Sequence, residues 1–410
     1  MKPSVKDDPM FVFAVISMLS YGALGITLPV MNLVFLEEGA NLSSLAVLMA
    51  VYSAIIVATE IPSGIASDLY GRKAAFLFSK VCTIIGSIVL ICATKSYHLA
   101  IVVVFLGLAR SFSSGSFEAL IIDWHNETYG IDALHKITTS LSVWDTAGLS
   151  AGTLLSGFIS LTFKKLGILP NHFLGCFLIG TIIQFIIITI TVLFVKEPRS
   201  VHAKNIRQHA TKTVVSGIMN NKMLVPFLML ACASGFMLSA IEKYWQPKLL
   251  EVSQTEHIAS VLLGILMFVG FMGALAGTIL AGKLIQGHPE RIKPVLIIFR
   301  ILLTLSLIGM ATSTRSMMFS FAYGGFYLFL ALAQIPEQTL LNRIIDSPMR
   351  ASCLSASSFF LQIGGFASSI FAALYLRSTQ NSILSFWCIT ALIGVSVLLL
   401  VLRPLVKIKS

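Results

Sequence analysis

The sequence predicts an all-α membrane protein of twelve transmembrane helices, built as two pseudo-symmetric six-helix bundles. Three observations carry this. The 410-residue chain is 56% hydrophobic and only 11% charged, less than half of the roughly 25% of a soluble protein, and its mean hydropathy is +0.88. Twelve apolar runs are each long enough to cross about 30 Å of hydrocarbon. The runs fall six and six about a polar stretch, Lys196 to Lys222. The short alternating segments of an outer-membrane barrel are missing.

Met1 to Asp8 is polar, and the run after it is too long for a signal peptide and lacks a small-residue cleavage site, so it reads as a retained first span. The first six spans occupy residues 10–36, 43–64, 74–94, 98–122, 137–162 and 172–195. The basic linker, 196–222, holds Lys196, Arg199, Lys204, Arg207, Lys212 and Lys222. The second six occupy 223–242, 258–285, 294–313, 317–336, 352–376 and 382–402. The expected domains are therefore 1–195, 196–222 and 223–410.

Basic residues set the expected topology. With both termini cytoplasmic, nineteen of the 29 Lys and Arg lie inside and seven outside, while Lys80, Arg110 and Arg300 fall within spans. That asymmetry is the positive-inside pattern, and it accounts for the net charge of +11 without nucleic acid, since no basic patch is interleaved with exposed aromatics. The six cysteines all lie in apolar runs without a C-x-x-C pair and read as packing residues.

The halves echo each other. Gly64 corresponds to Gly282, Lys80 to Arg300 and Glu118 to Glu337, all at nearly one offset. Duplicated six-span halves around a midplane cavity are a secondary-transporter architecture. Between spans two and three lies Glu60-Ile61-Pro62-Ser63-Gly64-Ile65-Ala66-Ser67-Asp68-Leu69-Tyr70-Gly71-Arg72-Lys73, read as a very short charged turn. Gly64 allows a close helix approach or a backbone turn. Asp68 and Arg72 stand four apart, a same-face pair if the turn is helical. In the second copy Asp68 becomes Gln286 and Gly71 becomes Pro289, so only the first keeps the ion-pair chemistry.

Gly64-x-x-x-Asp68-x-x-Gly71-Arg72-Lys73 resembles the signature loop of the major facilitator superfamily. Its Glu60-Ile61-Pro62 context, with Ser114 to Leu120 and Asp123, is similar to a large bacterial subfamily of exporters. Arg110 matches the fourth-span arginine of drug/proton antiporters in that superfamily. Gly148, Gly152 and Gly157 match their fifth-span pattern, but Thr153 replaces its proline and Ser156 one of its glycines. The resemblance covers the whole chain. It implies that Asp123 latches Arg72 while Asp68 meets the start of span eleven, a helix N-terminus suited to a carboxylate. That makes Glu60, Gly64, Asp68, Gly71, Arg72, Lys73 and Asp123 a gating motif.

Charge inside a membrane costs at least about 2.5–3.5 kcal/mol and marks function by default. Arg110, midway along span four, either tunes a proton site or makes a structural interhelical pair. Glu118, about 80° around that helix from Arg110, and Asp145 in span five are candidate proton or substrate groups. Glu337 is the second-half counterpart of Glu118. Trp144 beside Asp145 suits an organic cation, although adjacent residues point about 100° apart. Asn32 and Gln362 are candidate cavity linings. Tyr244, Trp245 and Gln246, at the outer end of span seven, read as an interface anchor or as the lining of an outer mouth.

No nucleotide loop, zinc spacing or nucleophile elbow occurs, so neither cofactor nor enzymatic activity is expected. The reading is a monomer in a bacterial plasma membrane, surrounded by lipid. It exports a small amphipathic or cationic compound by alternating access, with protons as coupling ion. A symporter or uniporter for a small metabolite is the alternative, and a non-transporting sensor or assembly partner the reading of another class.

Overall fold

In lipid every backbone N–H and C=O must be satisfied within the segment, so long apolar runs become helices. A computed structural model of the chain describes residues 10–93, 95–113, 116–129, 134–195, 197, 224–253, 256–344, 350–379 and 382–407. The linker other than Glu197 lies outside the described residues, as do residues 345–349 at the approach to span eleven. Twelve helices among the described residues are long and apolar enough to cross a membrane.

The chain divides into two compact units, Met1–Val201 with Ser260–Ile265, and His202–Ala259 with Leu266–Ser410. The first holds α1 Met10–Thr27, α2 Met31–Glu37, α3 Leu42–Tyr70, α4 Arg72–Ile91, α5 Tyr97–Ser113, α6 Ser116–Tyr129, α7 Leu134–Leu166 and α8 Leu174–Phe194. Here α1 packs along α7 and α8, α4 along α5 and α8, and α3 along α5. After α9 Val225–Val252, α10 Glu256–Ile285 follows, then a 3-10 turn (Pro289–Arg291), α11 Ile292–Thr312, α12 Ser316–Ile344, α13 Arg350–Ser378 and α14 Ile383–Lys407. In the second unit α9 packs along α13 and α14, and α11 along α12 and α14.

Three span readings change. The first run is two helices, because Pro29 lacks an N–H and disfavours helix before it; the chain turns at Leu28–Val30 and restarts as α2. The Glu60–Lys73 stretch is not a turn: α3 runs through Pro62 to Tyr70, and Gly71 alone joins it to α4. Gly71 has φ +99°, a left-handed conformation that glycine adopts without steric cost. Span four, Tyr97–His125, holds α5 and α6. Span seven extends past Glu242 and through Pro247 to Val252.

α1 and α7 meet along a glycine seam. A Cβ at Gly148 would lie 2.9 Å from the Met18 Cα, and one at Gly25 3.1 Å from the Gly152 Cα. Small residues of this kind let membrane helices approach to backbone contact. The second unit repeats the device, a Cβ at Gly364 of α13 falling 3.0 Å from the Phe236 nitrogen of α9. Gly148 and Gly152 thus have a packing role in full view.

Candidate functional site

The first unit encloses a cavity of about 380 Å³, within the range of small-molecule sites. Each helix wall contributes chemistry: Ser17, Ser20 and Tyr21 from α1, Tyr52 from α3, Lys80 from α4, Arg110 from α5, Glu118 from α6, Asp145 from α7 and Gln184 from α8. Phe76, Phe117 and Phe177 supply apolar wall. Two cations and two carboxylates therefore share one membrane-spanning bundle.

Asp145 is held by the hydroxyls of Ser17 and Tyr21, which hydrogen-bond to its carboxylate. Its Oδ1 is buried with no hydrogen-bond partner among the described residues. Tyr21 also lies in the fields of Arg110 and Glu118, so one phenol couples the candidate groups. Arg110 and Glu118 are exposed to the cavity space and make no hydrogen bond or ion pair among the described residues. Lys80 is 6% exposed. Its Nζ stands 4.6 Å from the Phe76 ring centroid, and that ring stacks on Phe117 at 4.4 Å.

At one end of the bundle the helix junction makes a second cluster. Arg72 Nη1 pairs with Asp123 Oδ2 at 2.5 Å and donates to the Ala119 carbonyl. The Arg72 amide donates to Glu197 Oε1 at 2.5 Å, and Lys73 Nζ donates to the carbonyls of Val195 (2.7 Å) and Val192 (3.3 Å). α4 and α8 thus cap each other: a carboxylate following α8 sits on the start of α4, and an ammonium at the start of α4 sits on the end of α8. Each charge matches the macrodipole end that it meets.

The sequence matches the family model of the Major Facilitator Superfamily over residues 10–369. The chain belongs to that superfamily. No curated protein matches the sequence closely enough to count as a relative. Solved structures share the fold at low identity. A nucleoside transporter, NupG, is similar with a TM-score of 0.76 at 14% identity, 97% of this chain and 99% of that one being covered. A D-xylose-proton symporter gives 0.72 at 14%, with 98% of each chain covered. A POT family transporter in complex with a thioalcohol-conjugated peptide gives 0.73 at 15%, covering 98% and 96%.

For this major facilitator, the structure sorts the predicted residues. Arg110, Glu118 and Asp145 come together in the cavity. Trp144 does not line it: adjacent residues diverge by about 100°, and the indole packs on the hydrophobic cluster containing Phe117 and Leu141. The proposed indole–carboxylate pair for an organic cation is therefore not built. Asn32 is buried on α2 and is not among the residues that line this cavity, although its neighbour Met31 is. Tyr244, Trp245 and Gln246 are neither an interface anchor nor an exposed lining, because the helix continues past them. They are 0%, 0% and 2% exposed, with Tyr244 edge-on to Phe386 and Trp245 against Tyr323.

Glu337 forms a buried ion pair with Arg300 in the second unit, and Arg300 also donates to Ser234 at 2.7 Å. Gln362 is exposed on α13, and Glu60 on α3. Gly64 sits in mid-helix, and a Cβ there would meet no described atom within 4 Å, so neither close approach nor turning explains it. The Asp68 side chain lies outside the described residues. With Gly71 interrupting the helix, the i,i+4 pairing of Asp68 and Arg72 lacks its helical premise. Sequence reasoning missed Tyr21, Lys80 and Gln184 as lining. Lys80 was visible as a charge inside a span, and Gln184 as an interruption of an apolar run. Glu197 hid in the linker composition.

Proposed function

We propose that this protein is a proton-coupled secondary transporter for a small polar molecule, with Asp145 as the proton site. One observation carries the reading: a carboxylate within a span opens on a cavity of ligand size, held on one side by two hydroxyls and unpartnered on the other. A group that gains and loses one proton there changes the cavity charge each cycle, and that changes the affinity for cargo. Glu118 and Arg110 share the cavity and set the field in which Asp145 works. Export and uptake use the same cavity, and the larger gradient sets the direction. Lys80 and Arg110 disfavour a cationic cargo by like-charge repulsion, which weighs for a symport-type cycle over cation antiport.

The Gly71–Lys73 junction with Asp123 acts as the conformational gate in this proposal, on the cytoplasmic side of a bacterial plasma membrane. The chain works as a monomer. The test is transport in proteoliposomes under an imposed pH gradient, with a panel of radiolabelled nucleosides, sugars, peptides and carboxylates. Gradient-driven uptake that survives both Asp145→Asn and Glu118→Gln would defeat the coupling assignment.

A further inference from the structure

So far Lys80 has served only to repel a cationic cargo. It is 6% exposed, lines the cavity, and has no carboxylate within ion-pair distance among the described residues. The internal repeat makes this informative. Its second-half counterpart is Arg300, and the counterpart of Glu118 is Glu337; those two close on each other in a buried pair. In the first half the equivalent cation and carboxylate both face the cavity and stay apart. Arg110 adds a second cation with no hydrogen bond or ion pair among the described residues. Burying an unpaired ammonium in a membrane is costly unless something periodically pairs with it.

We infer that the Lys80 ammonium and the Arg110 guanidinium receive the anionic group of a small organic monoanion, which is carried together with one proton in an electroneutral step. The inference rests on the proton-coupled reading above and names its substrate class. Lys80 on α4 and Arg110 on α5 carry two positive charges; Glu118 on α6 and Asp145 on α7 carry two negative ones when ionised. Tyr21 on α1 hydrogen-bonds to Asp145, Tyr52 on α3 is a second phenol lining the cavity, and α8 contributes Gln184, which does not titrate. The empty cavity is then neutral. One proton on Asp145 leaves a net positive charge, and one monoanion restores neutrality. Only the empty and fully loaded states cross without net charge in the site, so proton and anion move together. Half-loaded states are penalised as charged groups in a membrane are.

The test uses the purified full-length protein. Thermal unfolding is followed with lactate, gluconate and 4-hydroxyphenylacetate, each beside its neutral amide, and with tyramine and inorganic phosphate. At least one carboxylate is expected to stabilise the protein where its amide and tyramine do not. Its affinity is expected to fall ten-fold or more in Lys80→Gln and in Arg110→Gln, and to recover in Lys80→Arg. Monodisperse elution and unchanged unfolding of the unliganded variants exclude misfolding. Equal binding of the amides, preference for tyramine or phosphate, unchanged affinity in Lys80→Gln, or stabilisation by none of the three carboxylates would overturn the inference.

Proteoliposomes holding a pH-sensitive dye, read beside solid-supported-membrane currents, test the stoichiometry. Carboxylate-driven proton entry with no sustained current is expected, and a sustained current would refute the one-to-one step. If a neutral or cationic compound drives proton flux and the carboxylates do not, proton coupling stands and the anion site falls. If a carboxylate binds through Lys80 without moving protons, the site stands and the coupled step falls.

Discussion

Asp145 and Glu337 are both carboxylates inside spans, and their surroundings give them different work. Asp145 opens on a cavity, so its removal is expected to abolish the pH-driven component of transport while leaving the fold intact. Asp145→Asn should retain counterflow of substrate at equal pH, measured as exchange of labelled for unlabelled cargo. Glu337 is closed against Arg300 with both side chains under 10% exposed. Truncating one partner of such a pair costs about 3–5 kcal/mol because a buried charge is stranded. Glu337→Ala should therefore lower thermal stability sharply, and Arg300→Met combined with Glu337→Leu should regain most of it. The sequence placed Lys80 and Glu118 at the same landmarks as Arg300 and Glu337. It could not tell which pair closes, because closure depends on the tilt and rotation of whole helices. Nor could it tell whether Trp144 or Asp145 faces inward: their divergence by about 100° is legible, the choice is not.

At the scale of elements, two devices hold the first unit together. The α1–α7 seam leaves no room for a side chain, since a Cβ at Gly148 meets backbone and not a yielding side-chain tip. Gly148→Val is expected to cost at least about 1–3 kcal/mol through overpacking, read as earlier thermal unfolding and lower monodisperse yield. The mutual capping of α4 and α8 is weaker and exposed. Lys73→Gln and Glu197→Gln should each cost about 0.3–1 kcal/mol, and the loss should shrink in high salt as screening sets in. Element existence was legible throughout, because apolar length is a direct physical requirement of the bilayer. Element ends were not. Pro29 stops a helix, whereas Pro62, Pro247 and Pro336 sit inside theirs. Neighbouring helices decide whether a freed carbonyl can be satisfied, and a linear sequence does not show neighbours.

The molecule as a whole repeats one plan with different chemistry in its two units. Twelve spans and the superfamily were readable from composition and from the Gly64–Lys73 signature. The cavity was readable only as scattered intraspan charges. Transport kinetics should separate the charged junction from the cavity. Asp123→Asn and Arg72→Gln are expected to slow turnover several-fold with little change in substrate affinity, measured as kcat against KM for uptake. Cavity substitutions should move KM and the pH profile.

The tryptophans lend this division an optical handle. Trp245 and Trp387 are 0% exposed within the second unit, whereas Trp124 and Trp144 lie on the partly buried flank of the cluster that also holds Phe76 and Phe117. Those two phenylalanines form part of the cavity wall. Cargo entering that cavity would perturb the emission of Trp124 and Trp144 and leave the sealed pair dark to it. Intrinsic fluorescence would then report occupancy of one unit without any label.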